Sequence, residues 1–279
     1  MTGGARLAIA FLALAIPVAA QDSWPAPVPR APVPFSVGER AEYNLKYGPF
    51  HAGIGLTEVM DIDSIRGRET WHTVFRVRGG IPGFRVNDRF ESWIDVASLA
   101  SLRHWQDIDE GPNERERRYE IFPERGVYVQ GDQEPQPTVE LPLDDGSFIY
   151  FLRTIPLEVG EEYSFERYFR PDRNPVRIQV LRRERISVPA GTFNTLVVRP
   201  IIKTRGVFAE NGRAEVWLSD DSSRLMIQMK THVKFGTLSL YLRSYRPGAT
   251  ADTAKVDTTK KDSTKRDSVK PDTGGRRPR

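Results

Sequence analysis

The chain has 279 residues, no cysteine and four histidines, and its 41 Lys/Arg stand against 37 Asp/Glu. Without cysteine there are no disulfides, no thiolate metal sites and no residue for acylation at a lipoprotein signal, so the expectation is an exported chain that is not a lipoprotein. The positive balance sits in residues 247–279, with nine Lys/Arg against five Asp. Residues 35–246 hold 30 Lys/Arg against 31 Asp/Glu, a distribution that argues against a folded nucleic-acid-binding module.

Residues 1–20 read as a signal peptide. Arg6 supplies a positive start, and Leu7 to Val18 is apolar except for Pro17. Val18 and Ala20 are small residues at the −3 and −1 positions of a cleavage site. The apolar run is too short for the roughly 20 residues of a spanning helix, and no later segment reaches that length, so the mature chain is expected to have no transmembrane segment. Residues 21–34 form a linker in which Pro25, Pro27, Pro29, Pro32 and Pro34 favour an extended spacer.

From Phe35 to residue 246 the apolar pattern has period two. Tyr43, Leu45 and Tyr47 alternate with Glu42, Asn44 and Lys46. Trp71, Thr73, Phe75 and Val77 alternate with His72, Arg76 and Arg78. Leu225, Ile227, Met229, Val233 and Phe235 form one face of a later run, and Leu238, Leu240 and Leu242 one face of the next. Strict alternation marks strands with one buried face. Turn clusters at 65–68, 189–191, 210–212 and 219–222 separate such runs, with Asn211-Gly212 the strongest hairpin signal. The expected fold is mostly β: a single antiparallel sheet of about ten to twelve strands, strongly curved or partly closed. One segment departs from this. Phe148, Phe151, Leu152 and Ile155 follow helical spacing after Asp144-Asp145-Gly146-Ser147, which predicts one short amphipathic helix, capped by an Asp side chain, ended by Pro156 and packed across the sheet. Beyond residue 246 a five-residue unit, Asp-Ser/Thr-x-Lys-x, repeats from Asp252. It has almost nothing apolar to bury and is expected to be a disordered charged tail.

Chemistry is sparse. There is no Gly-x-Ser-x-Gly, and His51, His72, His104 and His232 are scattered without metal-ligand spacing, so they read as surface histidines. The pairs Asp144/Asp145 and Asp220/Asp221 fit a helix cap and a strand turn; if a hydrolase site were assembled in space, Asp144, Asp145 and Asp220 are the residues to test first. Asp107-Ile108-Asp109-Glu110-Gly111 lacks the spacing of a calcium loop. Arginines at 76, 78, 115, 117, 118, 177, 182, 183 and 185 could meet an anionic ligand or lipid head group, but they read first as a solvated sheet face paired with Glu114, Glu116 and Glu184. No catalytic, cofactor-binding or metal-binding residue is assigned, and no cofactor is expected. The most informative stretch is Thr195 to Ile202, apolar on both faces; its second face is covered by the helix or lines a hydrophobic cavity.

An ordered set of motifs resembles a known family. It comprises Gly38-Glu39 through Tyr43, Tyr47 and Gly53; Leu141-Pro-Leu-Asp144-Asp145-Gly-Ser147 through Arg153; Leu157-Glu-Val-Gly160; Val188-Pro-Ala-Gly191-Thr-Phe193; and Ala214-Glu-Val-Trp217-Leu-Ser-Asp220-Asp221. Together they are similar to the exported bacterial family called domain of unknown function 3108. The resemblance implies a β-rich periplasmic or envelope protein of Gram-negative bacteria and carries no site residues. The resulting expectation is a non-enzymatic, exported protein, periplasmic or outer-envelope associated, that holds a lipid or other amphipathic ligand in a curved sheet. The alternatives are a module that contacts an envelope protein or polymer, and a hydrolase.

Overall fold

A computed structural model describes residues 33–203, 214–233 and 236–249. The signal peptide, all but the last two residues of the proline-rich linker, the Asn211-Gly212 turn, Phe235 and the repeats of the charged tail lie outside the described residues. Among the described residues no helix is long and apolar enough to cross a membrane.

Fourteen strands form one antiparallel sheet: β1 (Arg40–Tyr47), β2 (Phe50–Ile65), β3 (Arg68–Ile81), β4 (Phe84–Asp95), β5 (Ser101–Glu110), β6 (Asn113–Phe122), β7 (Val127–Gln130), β8 (Gln136–Pro137), β9 (Glu162–Phe165), β10 (Val176–Val188), β11 (Gly191–Ile201), β12 (Glu215–Ser219), β13 (Met226–Val233) and β14 (Gly236–Arg246). The count exceeds the expected ten to twelve because β7, β8 and β9 are only two to four residues long, too short to display a period. The spatial order is 8-7-6-5-4-3-2-1-14-13-12-11-10-9. Two meanders therefore meet where β1 pairs with β14, in a register that sets Tyr43 against Leu242 and Leu45 against Leu240. The ladder is open: β8 and β9 are its edges.

Among the described residues the one α-helix, α1 (Ser147–Leu152), lies in the segment that leads from one edge to the other. Its first amides are met as the sequence predicts, since Asp144 Oδ1 accepts from Gly146 N–H at 2.7 Å and Ser147 N–H at 2.9 Å. The helix stops at Leu152, earlier than Pro156 requires, and it is not amphipathic. Phe148, Phe151 and Leu152 enter the main core with Tyr43, Leu196, Val216, Met229 and Leu240. Tyr150, on the other side, is buried too, beneath a second cluster of Phe35, Val59, Ile94 and Leu99. Phe35 meets Tyr150 edge-on at 5.0 Å and Trp71 at 5.5 Å. The chain start thus covers the face that a surface helix would leave in water. Each aromatic ring so buried contributes about 2–3 kcal/mol of transfer free energy.

Antiparallel hairpins place successive turns at alternate ends of a sheet. The turns at 48–49, 82–83 and 111–112 share one end, termed the hairpin end. The turns at 66–67, 96–100 and 220–225 share the other, termed the helix end, because α1 and residues 33–39 pack there.

Candidate functional site

Arg153, one residue past α1, ties the helix end together. Its guanidinium meets Glu39 with two bonds (2.5 and 3.0 Å) and donates to the carbonyls of Pro34 at 2.7 Å and Ser223 at 3.0 Å. Both charges are buried. Burial alone would lower the Arg153 pKa, but Glu39 outweighs it and raises it. Tyr245 O–H donates to the same carboxylate at 3.2 Å, and burial followed by the Glu39 charge pushes its pKa up to about 12.

The sheet face between α1 and β5 carries the polar cluster that includes the two aspartates singled out in the sequence. Asp144 is fully buried and accepts from the hydroxyls of Ser92 (2.6 Å) and Ser101 as well as from the two helix amides. The Asp144 side chain therefore does more than cap the helix: it also fastens the loop before α1 to β4 and β5. Asp145 is 38% exposed and accepts from Tyr168 O–H and Gln106 N–H, each at 2.9 Å. Burial, and then the Asp145 charge, hold the Tyr168 pKa well above the ordinary phenol range.

His104 belongs to this cluster and corrects the surface-histidine reading, because it is completely buried. Its Nδ1 lies 2.9 Å from the Glu91 carbonyl and its Nε2 2.9 Å from Gln106 Nε2. A carbonyl only accepts, so the imidazole donates to Glu91 through Nδ1. Among the described residues no hydroxyl bonds this imidazole; Ser92 and Ser101 point their protons at Asp144 instead. The arrangement holds a loop on a sheet and lacks the hydroxyl-to-imidazole step of a nucleophilic triad. His72 is also largely buried, 2.6 Å from Glu91 and stacked on Trp93 at 4.5 Å. His51 and His232 are exposed, as expected.

The remaining expectations resolve into structure. Asp221 accepts from Ser223 N–H at 2.9 Å within the β12–β13 turn, while Asp220 pairs with Arg183 at 2.9 Å and Arg224 at 3.1 Å and among the described residues shares no partner with Asp144. Arg118 pairs with Glu116, and Arg182 with Glu184 and Glu215. Among the described residues no group of three or more His, Asp or Glu could hold a metal ion. Both faces of β11 are covered, but neither predicted cover applies to the second one. Leu196 and Val198 face the main core, whereas Val197 lies opposite Trp217, whose indole N–H donates to Glu184 at 3.1 Å under the Arg182 side chain. Val197 is fully buried between its cross-strand neighbours Trp217 and Arg182.

The hairpin end is built differently. Phe50, Ile54, Ile81 and Phe84 are 69, 46, 38 and 42% exposed. Ile81 and Phe84 line an open cleft of about 1030 Å³ together with His51, Gly53, Pro82 and Pro112. Three glycines shape it. Gly53, Gly79 and Gly80 have φ of +145°, +157° and +143°, and a Cβ on any of them would run into the facing backbone at Arg78, Ala52 or Phe84. The Phe84 ring lies over Gly111, where a Cβ would come within 2.8 Å of it, so the tips of two hairpins interlock. Behind them Asp88 is buried. Burial, then the nearby Glu110 carboxylate, raises its pKa to about 7 even though the Asp109 N–H donates to it at 3.0 Å. This end escaped the sequence reading, although Ile81-Pro82-Gly83-Phe84 carried a signal: two large apolar residues flank a turn, where polar ones are usual.

Comparison with known proteins adds a family and a fold. A family model described as "Protein of unknown function (DUF3108)" matches residues 42–243. No curated protein matches the sequence. Among solved structures, the beta-barrel-like protein of domain of unknown function DUF1849 from Brucella abortus shares 11% identity, with 77% of this chain and 99% of that one covered and a TM-score of 0.53. A Bacteroides fragilis protein described as a "putative exported protein with YmcC-like fold" shares 13% identity over 77% of this chain and 98% of that one, with a TM-score of 0.30.

Proposed function

The chain belongs to the DUF3108 family, a family of unknown function, and from that premise we propose a non-enzymatic binding module of the cell envelope that takes the apolar part of an amphipathic ligand at its hairpin end. The export signature of residues 1–20 supports the compartment. The observation that carries the binding reading is the cleft at the hairpin end, lined by the exposed side chains of Ile81 and Phe84, with exposed Phe50 next in sequence to His51, which also lines it. Single exposed apolar residues are ordinary, whereas several gathered at one place mark a contact surface. The glycines keep the cleft open at its floor, since any side chain there would meet backbone.

This reading moves the ligand from the interior of a curved sheet to its rim. The main core draws residues from β1, β2, β6, β7 and β10 through β14 and is filled by α1, an arrangement that fits a sheet curled around the helix. A single acyl or similar chain would lie along the rim cleft. The test uses the full chain, exported by a Gram-negative host and purified without detergent, titrated with a fluorescent single-chain fatty acid. Saturable binding is expected, weakened about tenfold or more by the double substitution Ile81→Ser with Phe84→Ser at unchanged melting temperature. Binding no better than to an unrelated β protein, or binding indifferent to the double substitution, would overturn the reading.

A further inference from the structure

We propose that the groove beside the Phe50 hairpin is the head-group subsite of the same ligand and that it takes an anionic group, a phosphate or carboxylate; this inference rests on the reading above. The groove has a volume of about 490 Å³ on the outer face of β12, β13 and β14 and is lined by Trp217, Lys230, Ser239, Tyr241 and Gly48, among others. Its charges are uneven. The Glu215 carboxylate is met twice, by Arg199 at 2.8 Å and by Arg182 at 3.1 Å, and is fully compensated. Lys230, which lines the groove, and Lys46, across β14 from Lys230, are not. Lys230 stands 5.2 Å from the Trp217 ring centre and 5.9 Å from that of Tyr241, and Lys46 reaches the same Tyr241 ring at 5.4 Å. No ion pair to either lysine exists among the described residues.

Two ammonium groups drawn to one phenol ring repel each other, and the ring quadrupole offsets this by only about 1 kcal/mol per contact. An anion between them removes the repulsion and gains two charge-assisted hydrogen bonds. The register sets Ser239 directly across from both Lys230 and Lys46, so its hydroxyl is a neutral donor in the same row.

The groove and the apolar cleft are two sides of one hairpin. Gly48 lines the first, His51 and Gly53 line the second, and Phe50 lies between them in sequence. Gly48 and His51 are three residue steps apart, at most about 11 Å, a span that one single-chain lipid covers easily. A ligand with its chain in the cleft and its anionic head over Tyr241 would use both.

The experiment compares lysophosphatidylglycerol with lysophosphatidylcholine of the same chain length, each below its micelle concentration, on the full chain. The anionic lipid is expected to bind about tenfold more tightly at low salt, with the preference shrinking as salt rises. The double variant Lys46→Gln with Lys230→Gln is expected to lose the preference while keeping the affinity for the zwitterionic lipid. Equal affinity for the two lipids in the unaltered chain, or a preference that survives the double substitution, would overturn the head-group assignment and leave the apolar reading standing. Failure of both lipids to bind would overturn both.

Discussion

The two ends of the sheet solve opposite problems. At the helix end, charge is matched: Arg153 faces Glu39, Asp144 faces four hydrogen-bond donors, and the rings of Phe35 and Tyr150 seal the outside. At the hairpin end some charges are matched, Arg85 with Asp109 at 2.7 Å and Arg199 with Glu215 at 2.8 Å, but others are not, and apolar surface is left in water. Asp88 shares its surroundings with another carboxylate, two lysines converge on one ring, and Phe50 projects into solvent. If the poorly paired features of the hairpin end serve binding, as we propose, stability and function are divided between the two ends of the sheet. Substitutions should therefore act very differently at the two ends.

The largest effect belongs to Arg153. Arg153→Met leaves the Glu39 carboxylate buried with only Tyr245 as a side-chain donor, and breaking a buried pair from one side costs about 3–5 kcal/mol. Urea unfolding of the variant checks this; a loss under 1 kcal/mol would mean that the helix end does not hold the fold. Asp144→Ala comes next at about 3 kcal/mol, since it strands two hydroxyls and two amides. Asp145→Ala, at a half-exposed carboxylate with two donors, should cost about 1 kcal/mol. The contrast between these neighbours tests whether burial, rather than the identity of the residue, sets the cost.

Asp88 gives the comparison a pH axis. Its folded pKa of about 7 lies above the ordinary 3.8, so the native state holds its proton more tightly than the unfolded chain does. The stabilisation is complete below about pH 4 and is lost as pH rises through 7. Asp88→Asn removes that loss: the variant should exceed the parent in stability by about 1–3 kcal/mol at pH 8, with the gap closing toward pH 4. Thermal melts of both proteins across this range give the answer. A gap of the same size at pH 4 and pH 8 would mean that the carboxyl is not held in its neutral form.

Much of this architecture was legible in the sequence. Period-two alternation marked β1, β13 and β14, and Asp144 announced the start of α1. The pairing of β1 with β14 was not legible, because two strands some 200 residues apart carry no local sign of each other. His104 misled for a different reason. It lies on a buried face that is polar, where His104 and Gln106 meet the aspartates of the loop before α1, and alternation reports burial only when the buried face is apolar. The second face of β11 misled because the cross-strand neighbours of Val197, Trp217 and Arg182, come from the adjoining strands and were invisible to a reading of one segment at a time. The hairpin end was overlooked because its glycines and prolines read as ordinary turn residues, when their apolar neighbours were the informative part.

The smallest effect on stability is expected at Phe50, and it sharpens the comparison most. A side chain 69% exposed has little transfer free energy left to lose, so Phe50→Ser should change unfolding by no more than about 0.5 kcal/mol. Phe151, a buried ring of α1, should cost about 3–5 kcal/mol as Phe151→Ala, because its neighbours cannot close the space. The same Phe50→Ser protein should be retained less on a phenyl resin and, on the proposed reading, bind a single-chain amphiphile more weakly, since Phe50 is exposed and lies in sequence between Gly48 of the groove and His51 of the cleft. If Phe50→Ser instead unfolded the protein as readily as the Phe151 change, the hairpin end would be part of the core, and the division between a stabilising end and a binding end would fail.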